Sequence, residues 1–139
     1  IISASEKMQS QFTSGPNSIT QRAAITALNG DMAPTFAMQK SFHERRDYLV
    51  HELRQIKGLK VNNPPGAFYV FPDVTYFFGK KDIKNAEDLC MYLLDQAQVS
   101  SVTGDAFGDP NCIRISYATS MEKLQEAVKR IKAALALLD

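Results

Sequence analysis

The sequence is poor in cysteine, has no tryptophan and has no excess of charge of either sign. Sixteen Lys or Arg residues face fifteen Asp or Glu residues, for a formal net charge of +1. That balance gives no basic patch, so we expect no nucleic-acid partner. The two cysteines, Cys90 and Cys112, lack C-x-x-C spacing and lie among apolar residues. We therefore expect reduced thiols in a cytoplasmic protein. No apolar run is long enough to cross a membrane, so we expect no membrane partner.

Histidine is also scarce, which limits the metal sites that the chain can build. His43, Asp47 and His51 are spaced four apart on one predicted helix, a spacing that metal ligands can use. No further ligand cluster accompanies them. A hydrated row on the helix surface explains the spacing better, and we predict no metal site.

The patterns that are present predict an α+β domain. Hydrophobic residues make up 45% of the chain and charged residues 22%, as in globular proteins. Helical periodicity predicts helices over 3–11, 18–29, 35–57, from 85 onward and in a long closing segment. Alternation predicts short strands over 59–62, 67–71 and 99–102 and around residue 114, with the first two joined as a hairpin. We expect two layers, a small and mainly antiparallel sheet with helices packed on it.

Polar residues mark where several of these helices begin. Asn85 precedes an apolar stripe and is expected to cap that helix. Ser18 and Thr119 are each followed three residues later by Gln or Glu, which predicts capping boxes. The closing helix carries one continuous apolar stripe and should lie on the sheet. Its members are Leu124, Val128, Ile131, Leu135 and Leu138.

The segment 99–120 is the most informative part of the chain. Ile113, Ile115 and Tyr117 alternate with Arg114 and a serine, the period-two pattern of a half-buried strand. A glycine-punctuated loop, T-G-D-A-F-G-D-P-N, precedes this strand. A guanidinium held there can bind a carboxylate or phosphate through two hydrogen bonds. A structural ion pair with one of the chain's acids is an equally good interpretation.

Aromatic residues dominate the predicted strand A-F-Y-V-F at 67–71. Phe68, Tyr69 and Phe71 are typical of a packed sheet. We expect at least two of the three to pack in the core.

Three stretches together resemble the class I aminotransferases. They are T-S-G-P-N-S-I-T-Q-R-A-A at 13–24, P-P-G-A-F-Y-V-F at 64–71, and G-D-A-F-G with I-R-I-S-Y-A-T-S at 104–120. Their order and spacing match over essentially the whole chain, and the likeness is greatest to aspartate aminotransferases of the bacterial type. One departure is Thr103, which stands where proline is common in the family.

The resemblance implies a fold and a reaction. Enzymes of this fold-type I family use pyridoxal phosphate to move an amino group between an amino acid and a 2-oxo acid. They are homodimers with a large cofactor-binding domain and a small domain, together an α/β transferase fold. The likeness places 1–34 in a helical remnant of the large domain and 35–139 in the small C-terminal domain.

The resemblance also assigns roles to residues. Arg114 matches the arginine that binds the α-carboxylate of the substrate, and Phe68 matches a position near the substrate pocket. The lysine that forms the Schiff base lies upstream in the family, in a serine-x-x-lysine loop that no lysine here matches. We therefore expect no catalytic residue in this chain, no cofactor bound to it, and no activity from it alone; its cofactor-binding residues stay unassigned.

Two further hypotheses remain open. The chain could be a free-standing α+β module that binds an anion or a protein through Arg114. It could also be a dimerisation domain, since the helix at 18–29 has a smooth, alanine-rich face.

Overall fold

The computed structural model describes residues 1–139, and contacts between residues divide it into the units Ile1–Ala37 and Met38–Asp139. These units describe contacts within this chain alone, so the division into 1–34 and 35–139 stays a prediction. The α-helices are α1 (Ile2–Phe12), α2 (Ser18–Asn29), α3 (Ala33–Arg54), α4 (Ala86–Ala97) and α5 (Met121–Ala136). The strands are β1 (Tyr69–Val70), β2 (Val102–Thr103) and β3 (Ile113–Ser116), with 3₁₀ helices at Thr75–Phe77 and Gly104–Phe107.

The first unit consists of helices that bury no side chain. α1 and α2 have no buried residue, and neither has the first turn of α3. Its large apolar side chains are instead exposed to solvent. They are Ile1, Ile2, Met8, Phe12, Ile19, Ile25, Leu28, Met32 and Phe36.

The sheet of the second unit is small and antiparallel, as the sequence predicts. Its order is β1-β3-β2, so β3 is the central strand and pairs with both neighbours. The predicted hairpin between 59–62 and 67–71 is wrong. Only Lys60 forms a bridge there, to Asp73, and β1 pairs with β3 instead. Pro64 and Pro65 lie between the two segments and have no N–H to donate to a ladder.

The core lies between the inner face of this sheet and the packed helices α3, α4 and α5. Its largest fully buried side chains come from all of these elements and from the 3₁₀ turn after β1. They are Tyr117, Phe77, Leu49, Leu53, Leu89, Leu93, Ile131, Val70, Val74 and Val128. Every member of the apolar stripe predicted for the closing helix is buried. The predicted two-layer α+β domain is confirmed.

Short polar side chains begin the helices, in part at other residues than predicted. Asn85 caps α4 as expected, since its Oδ1 accepts the Asp88 N–H at 2.9 Å. Asn17 caps α2 and Ser120 caps α5, each next to the residue predicted for the role. The capping boxes at Ser18 and Thr119 are therefore wrong by one position, because a second capping residue stands beside each.

Candidate functional site

The two faces of β3 differ completely in their surroundings. Ile113 and Ile115 are buried in the core, as is Tyr117 just beyond the strand. Arg114 is partly exposed and Ser116 is exposed, on the opposite face. The alternation predicted from the sequence is confirmed, and it places the guanidinium outside the core.

Two aromatic rings pack against the Arg114 guanidinium. Its Cζ lies 4.3 Å from the ring centroid of Tyr69 and 4.0 Å from that of Phe107. The antiparallel register pairs Tyr69 with Ser116, so Tyr69 lies on the face of Arg114 and diagonal to it. Both distances are typical of cation–π contacts, in which the guanidinium lies against the face of a ring.

Arg114 carries a positive charge that no acid of this chain neutralises. None of the salt bridges in the structure includes it, and its side chain makes no hydrogen bond within the chain. The alternative of a structural ion pair is therefore wrong. A guanidinium has five N–H donors in one plane, and those of Arg114 are not used by any acceptor of this chain.

The glycine loop determines where Phe107 lies. Gly104 begins the 3₁₀ turn, and a Cβ added to it would lie 2.1 Å from the Asp109 carbonyl oxygen and 2.6 Å from that of Cys112. Gly108 ends the turn with a φ of +90°, a conformation that glycine adopts without strain. Only glycine at both ends lets the chain turn this tightly, with Phe107 over Arg114.

Phe68 and its neighbours do not pack as expected. Phe68 is 40% exposed, and neither Tyr69 nor Phe71 is fully buried. The prediction that at least two of the three lie in the core is wrong, because Val70 takes the inward position on β1. Alternation then turns Tyr69 and Phe71 towards the face of Arg114. Phe68 lies 4.5 Å from Tyr69 between ring centroids, so Phe68 and Arg114 contact the same tyrosine.

A groove of about 250 Å³ opens beside Phe68, between α3 and the loop before β1. Its polar side chains come from α3, and its apolar wall is aromatic. The lining residues are Gln39, Phe42, His43, Arg46, Pro65, Gly66, Ala67, Phe68 and Tyr117. Arg46 is already bound, since it donates to Asp47 at 2.7 Å and to the carbonyl oxygen of Pro64 at 3.2 Å.

The lysines of the chain do not fit the role of a Schiff-base lysine. Such a lysine reacts as the neutral amine, which requires a buried site and a lowered pKa. No charged side chain here is buried. Hydrogen bonding to Tyr76 raises the pKa of Lys57, and the hydrogen bond to Asp139 raises that of Lys80 although partial burial opposes it. We therefore assign the Schiff-base role to no lysine of this chain.

The remaining candidates are structural. Burial, together with a hydrogen bond to Asp109, raises the pKa of Cys112 to about 11, so its thiol stays protonated at neutral pH. No group of three or more His, Cys, Asp or Glu side chains converges anywhere in the structure, the row at 43–51 included. None of the α-helices combines the length and the apolar character that a membrane span requires.

Comparison with protein families gives one match over nearly the whole chain. Residues 1–131 match the model described as "Aminotransferase class I and II". The bifunctional aspartate aminotransferase and glutamate/aspartate-prephenate aminotransferase of Petunia hybrida is 54% identical over 144 residues, which cover 96% of this chain and 30% of that protein. The aspartate aminotransferase of Rhizobium meliloti is 45% identical over 96% of this chain and 34% of its own length.

Solved structures agree with this result. The crystal structure of the Rhizobium meliloti aspartate aminotransferase superimposes with a TM-score of 0.83 at 46% identity, over 93% of this chain and 34% of that one. An alanine aminotransferase from Pyrococcus furiosus gives a TM-score of 0.78 at 33% identity, over 88% and 30%. The chain thus spans about a third of the length of the curated relatives that it matches.

Proposed function

Because this chain belongs to the class I and II aminotransferase family, we propose that it is the part of an aminotransferase that binds the α-carboxylate of the substrate. The observation that carries the proposal is Arg114, whose charge is unpaired and whose guanidinium contacts two aromatic rings. The substrates that we propose are aspartate and a 2-oxo acid, in line with the names of the relatives.

Arg114 would act by positioning the substrate. A planar guanidinium donates two parallel hydrogen bonds to a carboxylate, and each charge-assisted bond contributes about 1.5–3 kcal/mol. Fixing the carboxylate fixes the orientation of the Cα–H bond, which raises the rate without any bond being broken by Arg114. Phe68, exposed beside Tyr69, would supply an apolar wall next to the bound substrate.

The groups that break bonds would come from outside this chain. Pyridoxal phosphate supplies the electron sink for amino-group transfer in enzymes of this kind. Its Schiff-base lysine has no candidate among the described residues, so we propose that the chain works as part of a longer, homodimeric protein. The exposed apolar side chains of α1 and α2 are consistent with burial in such an assembly. We also propose a cytoplasmic location, since both cysteines are free.

A chimera tests this proposal. The matching third of the Rhizobium meliloti aspartate aminotransferase is replaced by this chain, and transamination from aspartate to a 2-oxo acid is measured. We expect the chimera to fold, to bind pyridoxal phosphate and to transaminate. The 139-residue chain alone should show neither transamination nor the visible absorbance of a lysine-bound cofactor. A folded, cofactor-loaded chimera without activity would contradict the proposal, as would activity of the chain alone.

One observation also supports a second candidate, a free-standing module that binds anions. Residues 38–139 have a complete hydrophobic core of their own, and Arg114 is accessible without any further domain. This module would bind simple carboxylates through Arg114 and would confer no transamination in the chimera. The same experiment therefore separates the two candidates.

A further inference from the structure

The loop before β3 and the first residue of β1 have no role in the proposed function so far. We propose that Phe107 and Tyr69 are positioning residues that hold the Arg114 guanidinium through cation–π contacts. Its edge N–H donors are thereby presented to a carboxylate before any ligand arrives. The role of the glycine loop is then to position Phe107 against Arg114. The carboxylate part of this inference rests on the proposed function, whereas the stacking does not.

The contacts of Arg114 show that the rings are what holds its head group. The guanidinium has no hydrogen bond and no ion pair within the chain, so only packing restrains it. The rings of Tyr69 and Phe107 lie 4.3 and 4.0 Å from its Cζ. Contacts with two rings oppose rotation of the guanidinium, while its N–H donors have no partner within the chain and can bind a planar anion.

Each ring is supported in turn by another aromatic side chain. Phe107 is 45% exposed, and Phe71 meets it edge-on, with centroids 6.3 Å apart at an interplanar angle of 89°. Tyr69 lies 4.5 Å from Phe68 between centroids. Edge-to-face and tilted pairs at these distances are favourable. The result is a row in the order Phe68, Tyr69, Arg114, Phe107, Phe71.

The loop fixes one end of this row through its backbone. Gly104 donates its N–H to the Cys112 carbonyl oxygen at 2.8 Å, and its own carbonyl oxygen accepts from the Asp109 N–H at 3.2 Å. Thr103 Oγ1 donates to the Asp105 carboxylate at 2.9 Å. These bonds tie the turn to the strand that carries Arg114, so the loop and the guanidinium keep one geometry.

A guanidinium that is already held binds an anion more strongly than a free one. An exposed arginine samples many rotamers and loses that freedom when a carboxylate fixes it. In this structure the rings have removed most of that freedom in advance. Loss of one ring should therefore weaken carboxylate binding without removing the charge.

Arginine-selective ¹⁵N NMR on the 139-residue chain tests the inference. Rotation about the Nε–Cζ bond is measured for Arg114 and for Arg22, an exposed arginine of α2. We expect slower rotation at Arg114. Phe107→Leu should make that rotation about two- to fivefold faster, which corresponds to one exposed cation–π contact. Phe107→Tyr should restore the slow rotation, and Phe12→Leu, a matched change on exposed α1, should have no effect.

Titration with acetate and succinate provides the second measurement. Both should shift the Arg114 Nε–H signal, and Phe107→Leu should raise the dissociation constant about two- to fivefold. Equal rotation at Arg114 and Arg22, or no response to Phe107→Leu in either measurement, would overturn the inference. A third outcome is slow rotation that depends on Phe107, together with an Arg114 signal that neither acetate nor succinate shifts. That outcome would support the contacts with the rings. It would contradict carboxylate binding by Arg114, and with it the proposed function.

Discussion

The two faces of β3 are in contact with different kinds of residues. Ile113 and Ile115 point into a core that also contains residues of α3, α4 and α5. Arg114, between them, points to the opposite face, where its guanidinium contacts the rings of Tyr69 and Phe107. Alternation along one strand thus separates a buried apolar face from a face that holds an unpaired charge. We expect the buried face to contribute more to the stability of the fold than the face of Arg114.

The neighbouring strand repeats this division. Val70 is fully buried, whereas Tyr69 and Phe71 on either side of it belong to the face of Arg114. In this sheet, the position of a residue along the strand therefore decides whether its side chain faces the core or the side of Arg114, and its hydrophobicity does not.

The largest expected effect compares adjacent residues on the two faces. Ile113→Ala should lower the free energy of unfolding by about 2–5 kcal/mol, because it leaves a cavity in a packed core. Arg114→Ala should lower it by about 1–2 kcal/mol, because it removes two cation–π contacts outside the core. Urea unfolding of both variants and the wild type measures the difference. Equal losses of unfolding free energy in the two variants would show that both faces of β3 contribute equally to stability.

A smaller effect is expected at the loop that serves the open face. Gly104→Ala brings a methyl group within 2.1 Å of a carbonyl oxygen, so the backbone must shift. It should destabilise the fold by about 1–3 kcal/mol. Gly66→Ala is the matched control, since nothing lies within 4 Å of its added Cβ, and it should change stability by less than about 1 kcal/mol. A neutral Gly104→Ala would contradict the tight turn.

The smallest effect concerns pH at the edge of the sheet. Hydrogen bonds from the Thr75 hydroxyl and N–H, with one from Lys60, hold the pKa of Asp73 below its ordinary value of 3.8, although partial burial opposes them. A lowered pKa in the folded state stabilises the fold above pH 3.8, and this contribution is lost as the pH falls through the folded-state pKa.

Urea unfolding of the wild type and of Asp73→Asn between pH 6 and pH 2.5 measures this contribution. The wild type should lose more stability below pH 3.8 than Asp73→Asn, which cannot titrate at this position. Identical pH profiles would contradict the lowered pKa of Asp73. Asp73→Asn should not alter the rotation of Arg114, because the Asp73 side chain is bound by Lys60 and Thr75 and not by Arg114.

The features that were predicted correctly are those visible as a periodic pattern of residues within one stretch of sequence. The alternation around Arg114 and the stripe of the closing helix are visible in a single stretch, and both are confirmed. Helix starts were wrong by one residue where two capping residues are adjacent, as at Asn17 and Ser18, since either side chain can accept the same kind of N–H.

What the sequence did not predict depends on contacts between distant segments. The stack on Arg114 combines Tyr69, set by the register of β1 against β3, with Phe107, set by a turn between two glycines. Register is decided by which strands pair, and the expected hairpin implied the wrong partner for β1. The two glycines in G-D-A-F-G could have indicated the position of Phe107, because glycines at this spacing predict a tight turn that includes the residues between them.

We propose that Arg114 binds the carboxylate that every amino-acid substrate shares. Arg114→Lys in the chimera keeps the charge and loses the two-point geometry, and Arg130→Lys on α5 is the matched control. We expect kcat/KM to fall by a similar factor for aspartate and for an amino acid with an uncharged side chain, with the control unchanged. A loss confined to aspartate would show instead that Arg114 binds the side-chain carboxylate and not the α-carboxylate.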